Sequence, residues 1–469
     1  MIKFGTGGWR AVIGDDFIAS NIRKVAAGVL ALAAEENKMD KPVIIGFDRR
    51  FLSETAAKWV AEVLAEGGIE VWFLERSAPT PFVMHTVKDK GFYYGIEITA
   101  SHNPASYNGI KLIIEEGRDA SVEVTERLEA LIEQVEEPAR GSFDDLVKAG
   151  KIVYFKNPFN KFIDDIIAQL DMNALRERGL RVLFDTMHGS GSYPLQVILN
   201  TARCTVDMIN VNKDAYFGGM MPAPTEQTLI TLRNSVVKGG YDFGIAMDGD
   251  GDRLGIIDKN GRYITANEIL CMLYYYLVKY RGWKGPVVRN FSTTHMLDKI
   301  AESFGEVCYE VPVGFKYISS KIDETDAVLG GESSGGLTVR GHIHGKDSVY
   351  AASLFAEMVS AVGKSPSEII QELETLYGKF VMAEDNLHFS EETKADVEKI
   401  ILEDRKLPDF EKEIVKLNYD DGCKVYFADG SFVVCRFSGT EPLLRICAEN
   451  SSKALAQKDI AAVKKFLNI

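Results

Sequence analysis

The sequence predicts an α/β protein of three similar mixed α/β domains followed by a smaller α+β C-terminal domain. Three observations carry this. Strand-like and helix-like patterns alternate in three successive runs of about one hundred residues, as in mixed layers with largely parallel sheets. After about residue 372 the alternation gives way to closely spaced strand patterns and a closing helix, which reads as an antiparallel α+β unit. At 469 residues the chain also exceeds the size at which a single core stops growing, so three or four domains are expected. The boundaries are placed at 1–150, 151–258, 259–372 and 373–469.

The first run has an apolar strand over 43–47, a helical pattern over 54–65, a strand over 71–74, Ala78-Pro79-Thr80-Pro81 opening a helix, and a strand over 95–99. The second has strands over 181–184 and 206–211, Pro222-Ala223-Pro224-Thr225 opening a helix, and a strand over 243–247. The third has strands over 287–291 and 307–311, a helix near Ile318 and a strand over 327–329. Proline suits a helix start because the N–H it lacks has no partner in the first turn anyway. Between the runs lie an acid-rich stretch over 115–151, amphipathic at helical spacing, and a turn region over 259–267. The last part reads as a helix over 391–402, strands over 424–428, 432–437 and 443–448, and a helix over 454–467.

Each run ends its last strand in a different polar loop: Ala100-Ser101-His102-Asn103-Pro104, then Asp248-Gly249-Asp250-Gly251-Asp252-Arg253, then Gly330-Gly331-Glu332-Ser333-Ser334-Gly335-Gly336. Ligands of open α/β sheets sit beyond the carboxyl ends of strands, so three such units facing one cleft would converge these loops on one ligand.

Composition narrows the partner. A net charge of −14 disfavours a nucleic acid, which calls for a basic face, and an anionic membrane surface. With 46% hydrophobic and 26% charged residues the chain is ordinary for a soluble globular protein, and no window approaches the ~18 unbroken apolar residues of a membrane span. Met-Ile-Lys-Phe-Gly-Thr-Gly-Gly at the N-terminus has no apolar signal segment, so a cytoplasmic location is expected. The six cysteines include no Cys-x-x-Cys pair, which points away from a zinc site or a disulfide framework.

Ser101, displayed where a strand breaks into an Asn-Pro turn, is taken as the chemical centre. Asp248, Asp250 and Asp252 alternate with glycine, so a tight loop can turn three carboxylates toward one point, and these repel unless a cation binds. A calcium loop would want glycine at its sixth position and glutamate at its twelfth, where this chain has Arg253 and Lys259. Open coordination positions suit magnesium shared with a phosphate; the alternative is an acidic turn that binds nothing.

Arg436, Ser438, Gly439 and Thr440, with Arg445 beyond Pro442, offer guanidinium groups, hydroxyls and turn amides to an anion, or form a plain Ser-Gly turn with solvent-facing arginines. No nucleotide P-loop competes, because Met358 stands where the first glycine before Gly363-Lys364-Ser365 belongs. Glu332 and Ser334 among glycines suit close approach to a polyhydroxylated ligand, or a flexible turn. In Phe4-Gly5-Thr6-Gly7-Gly8-Trp9-Arg10, Arg10 either neutralises a phosphate or makes a surface pair. His102, Lys111, His342, His344 and Lys346 are candidates for proton transfer or phosphate contact, with Lys111 and His102 as acid/base helpers.

In combination, Thr99 to Pro104 with Asn108-Gly109-Ile110-Lys111, Asp248 to Arg253, Gly331 to Gly335, and Arg436 to Arg445 resemble the α-D-phosphohexomutase family in order and spacing along the whole chain. The resemblance implies four domains arranged around a central cleft, and an intramolecular phosphotransferase with Ser101 carried as phosphoserine and Asp248, Asp250 and Asp252 holding Mg2+ beside it. The serine's phosphoryl group passes to a hexose phosphate, and the resulting sugar 1,6-bisphosphate, also the activator, turns over and returns its other phosphoryl group. Glu332 and Ser334 then hold sugar hydroxyls, and Arg436, Ser438, Gly439, Thr440 and Arg445 the non-reacting phosphate. Arg10, Lys111 and Arg253 assist near the serine, and the protein is a monomer or dimer. Phosphoserine carries about −1.5 to −2 charge near neutrality, so it needs the metal and nearby cations. Ser333 and Gly336 match neither the glucosamine nor the mannose form of the sugar loop, so glucose is the expected hexose and mannose the next. A synthase releasing the bisphosphate would carry the same motifs; a silent phosphosugar-binding protein would not need Ser101 and all three aspartates.

Overall fold

The structure, a computed structural model, describes residues 2–5, 7–437 and 442–468. The chain forms two compact units, Met1–Ile269 with Ser334–Ser367, and Leu270–Ser333 with Glu368–Ile469.

In the first unit, the apolar runs Val43–Phe47 and Tyr94–Ile98 are buried along their whole length, as suits parallel strands covered on both faces by helices. Their sheet runs in the order Phe4–Gly5, Gly8–Val12, Tyr107–Ile114, Tyr94–Ile98, Val43–Phe47, Val71–Phe73, Ile152–Tyr154. The last of these pairs in parallel with Val71–Phe73, so the first sheet continues past residue 150. Helix Thr80–Lys90 starts with Pro81 in its first turn and stops at Gly91, which adopts the left-handed conformation at φ 60°. The second sheet runs Thr205–Ile209, Arg181–Asp185, Phe243–Met247, Leu254–Asp258, Tyr263–Ile264.

These sheets are less parallel than the alternation suggested. Tyr107–Ile114 is antiparallel to both Tyr94–Ile98 and Gly8–Val12, and Leu254–Asp258 is antiparallel to Phe243–Met247. The Ser101 and Asp248 loops are therefore hairpin connections. The reason is length: a parallel return needs a crossover of about a dozen residues or more, and the apolar segments after these loops follow too soon. A second difference is at Pro222 to Thr225, which does not open a helix. Thr225 and Thr228 close a local turn, with the Thr225 amide donating to Thr228 Oγ1 at 3.0 Å, and the helix is Ile230–Gly239.

In the second unit, Val287–Asn290 lies parallel between Cys308–Val311 and Leu329–Gly331. The last strand sits two residues later than the apolar pattern suggested, so Gly330 and Gly331 belong to it and the polar loop begins at Glu332. Helix Phe315–Thr325 lies directly on Gly330, where a Cβ would stand 2.5 Å from Ile318 Cγ2. Residues 381–450 form the antiparallel sheet expected of an α+β unit, in the order Val381–His388, Leu443–Asn450, Phe432–Phe437, Cys423–Phe427, Ile414–Asn418. Helix Lys453–Leu467, capped by Ser452 accepting from the Leu455 amide, buries Ile460 and Val463 against Val425, Val433 and Ile446. The six cysteines are free, and among the described residues no helix is long and apolar enough to cross a membrane.

A buried ion network also knits this unit together. Lys424 and Arg289 both reach Glu310 Oε2 at 2.6 Å, and Arg289 Nε pairs with Asp298 at 2.7 Å. Burial opposes ionisation of Glu310, but Lys424 and Arg289 outweigh it and bring its carboxyl down to about 2 from 4.5. The unfolded chain therefore binds the proton more readily below the ordinary value. The stabilisation is complete above pH 4.5 and is lost as the pH falls toward 2. Urea titrations across that window should show a steeper acid loss of stability in the native protein than in Glu310→Gln; equal slopes would refute the linkage.

Candidate active site

Ser101 lies just past the end of strand Tyr94–Ile98, fully buried, with a φ of 52° that few residues other than glycine adopt. Arg50 holds it there. Fully buried itself, Arg50 donates from Nη2 to the carbonyls of Ser101 and Asn103, both at 2.6 Å, and from Nη1 to those of Pro104 and Tyr107 at 2.8 and 3.0 Å. Asp48 supports the clamp: it pairs with Arg50 Nε at 3.3 Å and accepts from Ser53 Oγ at 2.6 Å and Thr99 Oγ1 at 2.7 Å. Thr99 Oγ1 accepts in turn from the Ser101 amide at 2.8 Å. Asp48 and Arg50 were not singled out in the sequence; their signal is their place at the carboxyl end of the neighbouring strand, Val43–Phe47.

The aspartate loop meets this turn. Ser101 Oγ donates to Asp248 Oδ2 at 3.0 Å, and Asp248 Oδ1 accepts from the amides of Asp252 and Arg253 at 2.9 and 3.0 Å. The approach is so close that a Cβ on Gly249 would stand 2.8 Å from the Ser101 carbonyl oxygen. Asp248, Asp250 and Asp252 are buried, and each offers an oxygen within 4.8 Å of the others'. Lys111, on strand Tyr107–Ile114, donates to Asp250 Oδ2 at 2.7 Å and Asp252 Oδ2 at 3.0 Å. Thr80 Oγ1 also donates to Asp250 Oδ2, at 2.7 Å, and Lys346 Nζ lies 3.0 Å from Asp252 Oδ2.

Asp250 Oδ1 and Asp252 Oδ1 are left buried with no hydrogen-bond partner among the described residues. Unsatisfied buried oxygens are costly, and hard oxygen donors are what a divalent cation takes, so the residues present fit such an ion.

The electrostatics divide the roles. Burial and the neighbouring Asp252 and Asp250 push the Asp248 carboxyl well above the ordinary range. Burial acts the same way on Asp252, but Lys111, Lys346 and Arg253 overcome it and hold that carboxyl well below. Burial would discharge Lys111, yet Asp250 and Asp252 raise its pKa, so it stays an ammonium and balances the loop. His102, whose Nδ1 lies 3.4 Å from Ser101 Oγ, is pushed down to about 2 by burial, Arg253 and Arg10, and is therefore a neutral imidazole. Arg10 Nη1 donates to Asn103 Oδ1 at 2.7 Å, and Arg253 Nε lies 3.8 Å from Asp252 Oδ1.

Arg10, Ser101, His102, Lys111, the three aspartates and Arg253 thus come together in the first unit. Exposed Ser334 is also in this unit, one residue before Gly335, whose carbonyl accepts from the Leu254 amide at 3.1 Å. His342, buried, pairs with Asp347 at 2.6 Å, and His344 Nδ1 is 3.1 Å from Arg118 Nη2. In the second unit, buried Glu332 accepts from Asn290 Nδ2 and the Gly314 amide, both at 3.2 Å. Arg436 Nε donates to both oxygens of Asp421 at 3.0 and 2.9 Å, and Arg436 stands directly opposite Arg445 across adjacent antiparallel strands. Like charges so placed are unfavourable without an anion between or beside them. Ser438, Gly439 and Thr440 lie outside the described residues, as does Thr6.

Comparison with known proteins assigns the class. The profiles of phosphoglucomutase/phosphomannomutase α/β/α domains I, II and III match residues 1–139, 160–261 and 265–377, and that of the C-terminal domain matches 384–465. A Thermococcus kodakarensis protein named phosphoglucomutase/phosphomannomutase is 30% identical over 467 residues, covering 99% of this chain and 98% of its own. A Methanobrevibacter smithii relative carrying the name phosphoglucosamine mutase is 29% identical over 454 residues, 97% of this chain and 96% of its own. A crystal structure from Thermus thermophilus, bearing the name phosphomannomutase, matches with a TM-score of 0.86 at 27% identity, over 100% of this chain and 99% of that one. These are α-D-phosphohexomutases, enzymes that transfer phosphate within a hexose phosphate. The chain belongs to the phosphoglucomutase/phosphomannomutase family.

Proposed function

We propose that the protein interconverts hexose 1-phosphate and hexose 6-phosphate through a phosphoserine at Ser101 and a bisphosphorylated sugar, with glucose the preferred hexose. The observation that supports this reading best is the Ser101 hydroxyl 3.0 Å from Asp248, in a loop with two unsatisfied carboxylate oxygens. Asp248, Asp250 and Asp252 would hold Mg2+, which supplies charge neutralisation for a transferring phosphoryl group. Arg10 and Arg253 face the same loops and add positive charge, while Lys111 keeps Asp250 and Asp252 ionised. His102, with Nδ1 3.4 Å from Ser101 Oγ, is assigned as an acid/base helper beside the serine. Glu332 and Ser334 are assigned to sugar hydroxyls, and Arg436, Ser438, Gly439, Thr440 and Arg445 to the phosphate that does not react. The phosphoglucosamine mutase name among the relatives makes an amino sugar the competing substrate.

Phosphorus NMR of the protein with glucose 1-phosphate, Mg2+ and a trace of glucose 1,6-bisphosphate tests the reading. Accumulating glucose 6-phosphate supports the mutase; net glucose 1,6-bisphosphate formed only when a separate bisphosphate donor is added would assign a synthase instead. Parallel runs with mannose 1-phosphate and glucosamine 1-phosphate rank the sugars, and a faster rate with either displaces glucose. Chelation with EDTA should lower the rate by about 100-fold or more, and added Mg2+ should restore it. Undiminished turnover in EDTA would remove the metal from the reading.

A further inference from the structure

A basic cavity in the first unit belongs to none of this machinery. It is an open cleft of about 620 Å3, within the range of about 300–1,000 Å3 typical of small-molecule sites, with Arg76 and Tyr193 exposed on its walls, and none of Arg10, Ser101, His102 or the three aspartates lines it. Its walls carry Arg49, Arg76 and the hydroxyls of Ser77, Ser192 and Tyr193. Arg76 stacks over Phe159 and Tyr193, with its guanidinium carbon 4.6 and 4.2 Å from the ring centroids. Stacking occupies the faces of the guanidinium and leaves its N–H donors, which lie in its plane, for a ligand. Arg49 spends Nη1 on the Val211 carbonyl at 2.9 Å and reaches Ser192 Oγ at 3.4 Å.

Neither guanidinium has a carboxylate partner among the described residues. Asp207, the acidic residue on the wall, is engaged by the Tyr241 hydroxyl at 2.8 Å and by Arg181 at 3.5 Å. Burial and then the charge of Arg76 lower the pKa of Arg49.

We propose that this cavity is an accessory site for a phosphate monoester, gripped by Arg49 and Arg76 and oriented by the surrounding hydroxyls. Planar guanidinium forks match phosphate oxygens in pairs, and the hydroxyls suit a hydroxylated body on the phosphate. The ligand chemistry is shared by inorganic phosphate and by the hexose phosphates of the reaction itself. The site also shares walls with the catalytic loops: Arg49 precedes the clamp residue Arg50, and Ser190 Oγ donates to the Gly249 carbonyl at 3.2 Å.

Met208 lines the cavity and supplies a local probe. With methyl-labelled methionine in the full chain, and the Met208 signal assigned through Met208→Leu, inorganic phosphate and glucose 6-phosphate are titrated separately. A saturable shift of the Met208 methyl is expected. Inorganic phosphate alone sufficing would assign the phosphate group as the whole determinant, and saturation only with glucose 6-phosphate would assign contacts to its sugar as well. Arg76→Gln should weaken the apparent Kd by about 10- to 100-fold, with KM and kcat for the mutase reaction unchanged. Arg76→Lys, which keeps the charge but not the fork, should fall between. No saturable shift with either probe, or a Kd unchanged in Arg76→Gln, overturns the proposal.

Discussion

Ser101→Ala should lower phosphoryl transfer by about 10,000-fold or more while the protein stays folded. The effect is large because the hydroxyl is the atom proposed to carry the phosphoryl group, so no neighbour substitutes for it by positioning alone. The structural cost is smaller. The variant loses the hydrogen bond from Ser101 Oγ to Asp248 and the longer contact with His102 Nδ1, leaving a buried carboxyl oxygen short of a donor at about 1–3 kcal/mol. The φ of 52° is imposed by the Arg50 clamp and the Thr99 hydroxyl, both of which remain. Two measurements check this together: kcat with glucose 1-phosphate, and the intact mass after incubation with glucose 1,6-bisphosphate. The native protein should gain one phosphoryl group and the variant none. Retained turnover, or a phosphoryl group on the alanine protein, would move the chemistry elsewhere.

Arg50→Met should destabilise the first unit by about 3–5 kcal/mol, the usual cost of removing one partner of a buried ion pair, and sharply reduce kcat as well. Four carbonyl oxygens of the Ser101 turn lose their common donor, and Asp48 loses its counter-charge in a fully buried position. Folding stability of single domains is about 5–15 kcal/mol, so the variant should approach partial unfolding at moderate urea. Arg50→Lys separates charge from shape. An ammonium still pairs with Asp48 but does not span four carbonyls, so stability should recover more than kcat. A change below about 1 kcal/mol in Arg50→Met with normal turnover would show that the turn holds itself.

Lys111 shows what kind of information was absent from the chain read in order. The sequence placed it near the Ser101 loop as an acid/base helper, but the antiparallel strand that carries it brings its ammonium between Asp250 and Asp252, where it is kept charged. That strand has only a short apolar signal, Leu112-Ile113-Ile114, and the hairpin it closes follows from pairing in space rather than from local pattern. Pro222 to Thr225 erred in the opposite direction: a helix-start signature was spent on a turn closed by threonine hydroxyls. The Gly330-Gly331 pair looked like loop because glycine is common there, and is strand because a helix lies against it.

What the sequence determined by itself is what repeats or clusters along it: the alternating elements, the antiparallel last sheet, and the loops around Ser101, Asp248 to Asp252 and Glu332. Such features are legible because periodicity and turn chemistry act over a few neighbouring residues. The tertiary structure alone decided which residues those loops meet. Arg50 reaches carbonyls 51 to 57 positions away, and Lys111 reaches aspartates 139 and 141 positions away. The physical reason is that hydrogen bonds and ion pairs depend on distance in space, and strand pairing brings together residues whose separation along the chain leaves no local trace.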